Sequence, residues 1–280
     1  MKYKMIACDI DGTLLNSKHQ LSQRTKDVIK QAKDKGILVT LATGRDFTSA
    51  QHVAKSLDID MPIITNDGSF LIHPRDSKVF YESRIERNAA CTVVDMLNQY
   101  KMSYIIQDEP HSYRNNRMMF LKMLGSMDIF RIMAFRKHMS HHKILKNQAM
   151  FEGVSANKIK PFKICVFDEN VKALDEITKR IESEFGGRLR ISNSGFNGIE
   201  IVQTGFSKAR GLDVLCNQFN VDPSEVMAIG DSYNDLEMVG FAGLGIAMGN
   251  ANKALMERAQ FVTLSNDSDG VAYALEQFAL

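Results

Sequence analysis

Hydrophobic and polar positions along the first 70 residues form two patterns, short apolar runs and longer amphipathic stretches. The apolar runs are KMIACDI, ILVTLATG and MPIITND, and the stretches between them are SQRTKDVIKQAKDKG and FTSAQHVAKSLDID. Continuous apolar strands separated by amphipathic helices are typical of a parallel sheet that is covered on both faces. Ser22 is a suitable N-cap for the first helix, and Gly36 follows its lysine-rich last turn. The pattern predicts an α/β domain.

The same alternation returns near the end of the chain, in the apolar runs SEVMAIGDS, GLGIAMGN and QFVTL. Helices are predicted from near Asn234, over 251–259 and from near Asp269. Between the two ends the pattern changes, since FKICVFDEN, GRLRISNS and NGIEIVQ read as strands around the helical stretch VKALDEITKRIESEF. We therefore expect a core domain built from residues 1–83 and 205–280, and an inserted second domain over residues 84–204.

Composition and charge narrow the class of protein. The 280 residues allow two domains, and a net charge of +2 with 24% charged residues is ordinary for a globular protein. Nucleic-acid or membrane binding is therefore not expected from bulk charge. The charge is nevertheless divided unevenly, because residues 84–204 hold 19 Lys and Arg against 13 Asp and Glu, which leaves the remainder net negative.

The spacing of the cysteines and the length of the apolar segments indicate in which cellular compartment the protein is expected. The four cysteines are scattered without paired spacing, which favours reduced thiols in a reducing compartment. The apolar run behind Lys4 is too short for a signal peptide, and no stretch of 18 uncharged apolar residues exists. We expect a cytoplasmic protein with no membrane partner.

Two carboxylates lie at the end of the first predicted strand. Asp9 ends that strand and Asp11 follows two residues later, so in extended geometry both side chains would point the same way at the carboxyl edge of the sheet. That edge is where open parallel sheets bind ligands. Two neighbouring carboxylates repel each other unless a cation lies between them, and their oxygen atoms suit Mg²⁺. The alternative interpretation is that Asp11 and Gly12 only form a turn.

Two further segments carry residue types that bind phosphate. Thr43 and Gly44 end the second strand, where a hydroxyl and a backbone N–H can contact phosphate oxygens. Lys208 begins a predicted helix in GFSKARGL, where its ammonium can meet a phosphate as a point charge. Taken alone, however, a single lysine is most often a solvated surface residue.

A third segment, AIGDSYND, places polar and acidic residues after another apolar strand. These residues are Asp231, Asn234 and Asp235. They could bind a cation at the sheet edge, or they could be the N-cap and acidic first turn of a helix.

In this order the segments DIDGT, ATGR, SKARGL and GDSYND resemble the four motifs of the haloacid dehalogenase superfamily. More narrowly, the chain resembles the Cof-type phosphatases of subfamily IIB. The resemblance implies an α/β fold: a Rossmann-like parallel sheet core with helices on both faces, and an inserted α/β cap domain of the C2B type. It also implies a hydrolase of phosphomonoesters that uses Mg²⁺.

The resemblance further implies a role for each matching residue. Asp9 would be the nucleophile, which forms an aspartyl-phosphate, and Asp11 the general acid and base. The phosphate contacts would be the backbone of Ile10, Thr43, Gly44, Lys208 and Asn234. The Mg²⁺ ligands would be Asp9, the backbone carbonyl of Asp11, and Asp231, with Asp235 supporting them.

The expected substrate is a small phosphorylated metabolite, a sugar phosphate or a phosphorylated cofactor, and the expected assembly is a monomer or homodimer. Two other functions use the same residues. A phosphosugar mutase would share the nucleophile but deliver the phosphoryl group to a second sugar. A non-catalytic phosphate sensor would bind the ligand without turnover, although both Asp9 and Asp11 are present.

The segment from His111 to Gln148 is unusual, because it holds eight Lys and Arg against the single acid Asp128, with many Met, Phe and Ile between them. The simplest interpretation is a pair of cap helices with solvated basic sides. The alternatives are a surface for an anionic substrate or a dimer contact, and a peripheral membrane contact. Three histidines in it are interpreted as surface residues: His138, His141 and His142.

Overall fold

The structure is a computed structural model that describes residues 2–108, 111–115, 142–195 and 198–280. It divides into two compact units. The core unit comprises Met1–Glu82 and Gly205–Leu280, and the inserted unit comprises Ser83–Thr204. Among the residues described, no helix is both long enough and apolar enough to span a bilayer.

The strands and longer helices follow one another along the whole chain. The strands are β1 (Met5–Cys8), β2 (Leu38–Leu41), β3 (Ile63–Thr65), β4 (Phe70–Ile72), β5 (Val79–Glu82), β6 (Ser103–Asp108), β7 (His111–Arg114), β8 (His142–Ile144), β9 (Lys163–Phe167), β10 (Leu189–Gly195), β11 (Gly198–Gln203), β12 (Val226–Gly230), β13 (Leu244–Ala247) and β14 (Phe261–Val262). The helices are α1 (Gln23–Asp34), α2 (Phe47–Ser56), α3 (Arg87–Gln99), α4 (Asn147–Ser155), α5 (Val171–Phe185), α6 (Lys208–Phe219), α7 (Leu236–Phe241), α8 (Lys253–Arg258) and α9 (Gly270–Phe278).

The core unit contains a five-stranded parallel sheet in the order β14-β13-β12-β1-β2. Every residue of β1 is fully buried, and successive side chains of a strand point to opposite faces, so both faces of the sheet are covered. The predicted helix caps are confirmed at α1, where the Ser22 side chain accepts a hydrogen bond from the backbone N–H of Thr25. The predicted α/β class is confirmed.

One strand departs from the prediction. MPIITND was expected to continue the parallel sheet, but β3 pairs with β4 in a separate antiparallel sheet of order β3-β4-β5. β3 nevertheless lies parallel to the strand end after β2, as expected, through a parallel bridge from Ala42 to Ile64 and a hydrogen bond of 2.9 Å from the Thr43 N–H to the Ile64 carbonyl. The physical reason for the departure is the turn Asn66–Gly68, in which three successive residues have positive φ angles of 48°, 55° and 98° and reverse the chain into β4.

The inserted unit is built on a six-stranded sheet of order β10-β11-β9-β6-β7-β8. Its pairs are antiparallel except for β7 and β8, which run parallel. Alternate residues of the central strands, such as Ile106 and Ile164, pack with Val93 of α3, Met150 of α4 and Ile177 of α5 in one apolar core. The unit therefore has its own core, as an independently packed domain requires.

The basic segment from His111 to Gln148 lies mostly outside the described residues, because positions 116–141 are not among them. The helices predicted there, with His138 and His141, belong to that part. The two described ends are strands β7 and β8, followed by the start of α4, so the prediction of helices is wrong for residues 111–114 and 142–144.

Candidate active site

Two neighbouring parallel strands deliver acidic residues to the same edge of the core sheet. Asp9 follows β1 and Asp231 follows β12, and the two strands pair in register with Cys8 opposite Ile229. This edge is the carboxyl end of the strands, where side chains of successive strands converge.

Lys208 joins these acids from the first position of α6, whose N-cap is Ser207. Its Nζ donates to Oδ1 of Asp9 at 2.6 Å and to Oδ1 of Asp235 at 2.7 Å. The lysine side chain is only 1% exposed. The interpretation of Lys208 as a solvated surface residue is therefore wrong.

Asp235 caps the helix start that its sequence predicted, and it also contacts Lys208. Its Oδ2 accepts hydrogen bonds from the backbone N–H groups of Asp231 and Ser232, both at 3.0 Å, which is the capping arrangement of a helix start. Its Oδ1 accepts from Lys208, and the residue is fully buried. Asp235 thus holds both the loop and the lysine in place.

The electrostatics of this cluster follow from burial. Desolvation raises the pKa of Asp9 from an ordinary 3.8 to about 8, with Lys208 opposing the shift and Asp235 and Asp231 adding to it. Burial, reinforced by Asp235, also raises the pKa of Asp231 to about 6. Burial by itself would lower the pKa of Lys208, but attraction to Asp9 and Asp235 raises it instead. Three carboxylates against one ammonium leave the cluster short of positive charge.

The donor set fits a hard divalent cation. One carboxylate oxygen from each of Asp9, Asp231 and Asp235 lies within 4.8 Å of the others. Oxygen-only donors of this kind are those that Mg²⁺ takes in proteins. Asp231 is held by Thr13, whose hydroxyl donates to Oδ1 at 3.0 Å, and a Cβ on Gly12 would stand 2.4 Å from Oδ2 of Asp231. Glycine at position 12 is therefore required for this close approach.

Asp11 is not one of the three clustered carboxylates, but its charge contributes to the raised pKa of Asp231. β1 ends at Cys8 and the chain turns at Ile10, so the backbone between Asp9 and Asp11 is not the extended strand that was expected. The Asp11 carboxylate instead accepts two hydrogen bonds from the Arg45 guanidinium, at 2.6 Å from Nε and 2.5 Å from Nη2. Asp11 is about half exposed and Arg45 is 27% exposed. This bidentate pair is the strong form of a carboxylate–guanidinium contact.

The remaining predicted phosphate contacts surround one residue that sequence reasoning missed, Asp67. Oδ1 of Asp67 accepts a hydrogen bond from Nδ2 of Asn234 at 2.8 Å, and its backbone N–H donates to the carbonyl of Thr43 at 3.0 Å. The same Oδ1 would lie 2.9 Å from a Cβ on Gly44. Thr43 was selected because it is a polar residue at the end of an apolar strand. Asp67 also follows an apolar strand, so the same criterion would have identified it.

The loop after β1 is held by asparagines from the C-terminal part of the chain. The carbonyl of Ile10, a fully buried residue, accepts from the N–H of Leu15. Asn250 donates to the carbonyl of Gly12, and Asn266 donates to the carbonyl of Leu15, each at 2.9 Å. These asparagines follow β13 and β14 at the same sheet edge; they position the loop that carries Asp11.

Known proteins share this arrangement of elements. A profile of haloacid dehalogenase-like hydrolases matches residues 6–275. The chain belongs to that family. The resemblance of its motifs to the Cof-type branch of the haloacid dehalogenase superfamily is confirmed.

Relatives within this family extend over nearly the full chain. Stress response protein YhaX of Bacillus subtilis is 35% identical over 99% of this chain and 94% of its own length. The 5-amino-6-(5-phospho-D-ribitylamino)uracil phosphatase YwtE of the same organism is 31% identical over 98% of this chain and 97% of its own length. A crystal structure of a haloacid dehalogenase-like hydrolase from Bacteroides thetaiotaomicron aligns with a TM-score of 0.82 at 28% identity, over 99% of both chains. The chain is an enzyme of the phosphatase class.

Proposed function

We propose that this haloacid dehalogenase-like hydrolase is a Mg²⁺-dependent phosphomonoesterase for small metabolites that works through an aspartyl-phosphate at Asp9. The observation that carries the proposal is the buried cluster in which Lys208 joins Asp9 to Asp235 beside Asp231. A carboxylate nucleophile next to a buried ammonium and a cation site is the equipment that phosphoryl transfer needs.

In the first step the Asp9 carboxylate attacks phosphorus, and the ester oxygen departs with a proton from Asp11. Water then attacks the aspartyl-phosphate after giving its proton to Asp11, which releases inorganic phosphate. Lys208, whose pKa is raised by its two carboxylate partners, stays positively charged and offsets charge on the phosphoryl oxygens. The backbone of Ile10 and the side chain of Thr43 border the same strand ends and are proposed to orient these oxygens.

Mg²⁺ would be held by Asp9, the carbonyl of Asp11, and Asp231, and it supplies charge neutralisation for the phosphate. Both oxygens of Asp235 already accept hydrogen bonds from N–H groups, which favours a supporting role for it. Of the two Asp9 oxygens, Lys208 contacts Oδ1, and Oδ2 would bind the metal or attack phosphorus.

The contact between Arg45 and Asp11 affects the proposed proton transfer by Asp11. Asp11 can protonate the leaving oxygen only after its two contacts to the guanidinium have opened, so substrate binding is proposed to displace Arg45 from Asp11. A phosphate ester offers the guanidinium an alternative anionic partner of matching geometry.

The substrate class rests on the relatives and on the expected cap. We place sugar phosphates first and phosphorylated cofactors second, and we propose that residues 84–204 form the cap domain that the family resemblance implies. YwtE is named for a phosphorylated ribitylaminouracil, which is itself a polyhydroxylated phosphomonoester. Such compounds carry the single terminal phosphate that the proposed site requires.

The experiment is a measurement of inorganic phosphate released from a panel of phosphomonoesters by metal-depleted protein, with and without added Mg²⁺. The panel contains sugar phosphates, ribitylaminouracil phosphate, pyridoxal phosphate and flavin mononucleotide. We expect Mg²⁺-dependent release from several members and none with the Asp9→Asn variant. Phosphate transfer that occurs only with a second phosphosugar present would identify a mutase, and undiminished turnover by Asp9→Asn would refute the mechanism.

A further inference from the structure

The turn that follows β13, residues 249–252, contacts both loops that carry the proposed Mg²⁺ ligands. The side-chain amide of Asn250 donates to the carbonyl of Gly12 at 2.9 Å, in the loop after β1. Two positions further on, the backbone N–H and the side-chain amide of Asn252 donate to the carbonyl of Asp231, at 3.1 and 3.3 Å, in the loop after β12. One short turn therefore connects two loops that come from opposite ends of the chain.

This turn is itself fixed to the segment that follows β14. The backbone N–H of Gly249 donates to the carbonyl of Leu264 at 3.0 Å. Oδ1 of Asn250 accepts from the backbone N–H of Asn266 at 2.9 Å, so the oxygen and the nitrogen of its amide are both hydrogen-bonded. An amide that is held at both ends fixes the position of the Gly12 carbonyl.

The two loops also meet directly at the proposed ligands. The hydroxyl of Thr13 donates to Oδ1 of Asp231 at 3.0 Å, and a Cβ on Gly12 would stand 2.4 Å from Oδ2 of the same carboxylate. The carbonyl of Asp11, which is a proposed ligand, immediately precedes the Gly12 carbonyl that Asn250 holds. A shift of Gly12 would therefore move the Asp11 carbonyl relative to the Asp231 carboxylate.

We infer that Asn250 is a positioning residue for the proposed Mg²⁺ site, which fixes the Asp11 carbonyl relative to Asp231 and so favours Mg²⁺ over Ca²⁺. The inference rests on the proposed function and adds the selectivity for the ion. Mg²⁺ demands near-octahedral geometry with ligands at about 2.0–2.1 Å, whereas Ca²⁺ accepts a flexible shell at about 2.3–2.6 Å. A fixed ligand spacing therefore matters more for Mg²⁺ than for Ca²⁺. Loss of a group that orients a ligand typically costs about 10- to 100-fold in metal affinity.

The test is a calorimetric titration of metal-depleted wild-type and Asn250→Ala proteins with Mg²⁺ and, separately, with Ca²⁺. The variant loses the donor to Gly12, and because Asn250 is exposed, water can satisfy the groups that it leaves. We expect the Mg²⁺ affinity to fall about tenfold and the Ca²⁺ affinity to fall less. The ratio of the two affinities should therefore decrease, which a general loosening of the fold would not produce.

The matched control is Asn217→Ala, which removes another exposed amide that donates to a backbone carbonyl, that of Asp213 at 2.8 Å in α6. It should leave both affinities unchanged. In EDTA, the melting temperature of Asn250→Ala should stay close to that of the wild-type protein, because substitutions of exposed residues usually change stability little. Added Mg²⁺ should raise it less than it raises that of the wild-type protein.

Unchanged Mg²⁺ affinity in Asn250→Ala, or an equal loss of affinity for Mg²⁺ and Ca²⁺, would overturn the inference. Asn250→Ser also withdraws the amide donor and gives a second measure of the same loss should Asn250→Ala fail to fold. Absence of Mg²⁺ binding by the wild-type protein would instead refute the proposed Mg²⁺-dependent function, and the inference with it.

Discussion

Asp9→Asn should stabilise the metal-free protein at neutral and alkaline pH, although it destroys the proposed nucleophile. Asp9 is 5% exposed, and its burial raises its pKa from 3.8 to about 8, with Lys208 opposing the shift and Asp235 and Asp231 adding to it. Below about pH 4 the carboxyl is protonated in both the folded and the unfolded chain. As the pH rises from 4 to 8 the unfolded chain loses this proton while the folded protein retains it, so stability falls across that range.

The size of the expected stability change follows from the pKa shift of Asp9. About four pKa units at ~1.4 kcal/mol each give an upper limit of about 6 kcal/mol for the stability that Asp9 removes at pH 8. Asparagine has the shape of the protonated acid and can still accept from Lys208, so it avoids this loss. In a unit of this size each kcal/mol corresponds to roughly 2–4 °C in melting temperature. We therefore expect a gain of several degrees at pH 8 that disappears near pH 4.

The assay is thermal unfolding, followed by circular dichroism, of both proteins in EDTA from pH 4 to 9. Asp34→Asn serves as the control, because the side chain of Asp34 is 60% exposed on the surface of α1 and should give no pH-dependent difference. Added Mg²⁺ should then stabilise the wild-type protein more than Asp9→Asn, since a bound ligand stabilises only the state that binds it. An Asp9→Asn protein that melts at or below the wild-type temperature at pH 8 would refute the reasoning about the buried charge.

Three further predictions concern catalysis. Asp231→Ala should weaken Mg²⁺ affinity about tenfold or more, which calorimetric titration would measure; unchanged affinity would remove Asp231 from the metal site. Asp11→Asn should lower kcat by ~10²- to 10⁴-fold yet still allow phosphorylation of Asp9, which mass spectrometry of acid-quenched protein would detect; a rate close to wild type would assign the acid role elsewhere. Lys208→Ala should lower kcat/KM by about 10- to 100-fold for every phosphomonoester alike, because the lysine is proposed to contact the common phosphate; a loss confined to one ester would place it at the leaving group.

The fold followed from the sequence wherever local pattern decides structure. Apolar runs of four to eight residues alternating with amphipathic helices have few packing solutions, and the parallel sheet with Asp9 and Asp231 at one edge is the one observed. Ser22 and Gly36 marked the ends of the first helix, because capping depends on residues close in sequence. The order of the motifs also identified Lys208 as a site residue, whereas its helical periodicity alone predicts a solvated surface lysine.

The sequence did not predict the sheet to which β3 belongs. An apolar run has the same composition in a parallel strand and in a buried hairpin. Asn66, Asp67 and Gly68 are residue types that adopt positive φ more readily than most, and they turn the chain into β4, but a turn signal does not say which sheet the strands beside it join. The folded chain packs this turn against a residue distant in sequence, since a Cβ on Gly68 would stand 2.0 Å from the carbonyl oxygen of Ser207.

The sequence by itself determined which residue types gather at the sheet edge, because strand order and the two-residue period of a strand place them there. Only the tertiary structure decided how they are paired. Asp9 is bound to Lys208, Asp11 to Arg45 and Asp67 to Asn234, and two of these three pairs join residues more than 150 positions apart. Hydrogen bonds and buried charges act over a few ångströms, so their partners are set by the packing of the folded chain and not by spacing along it.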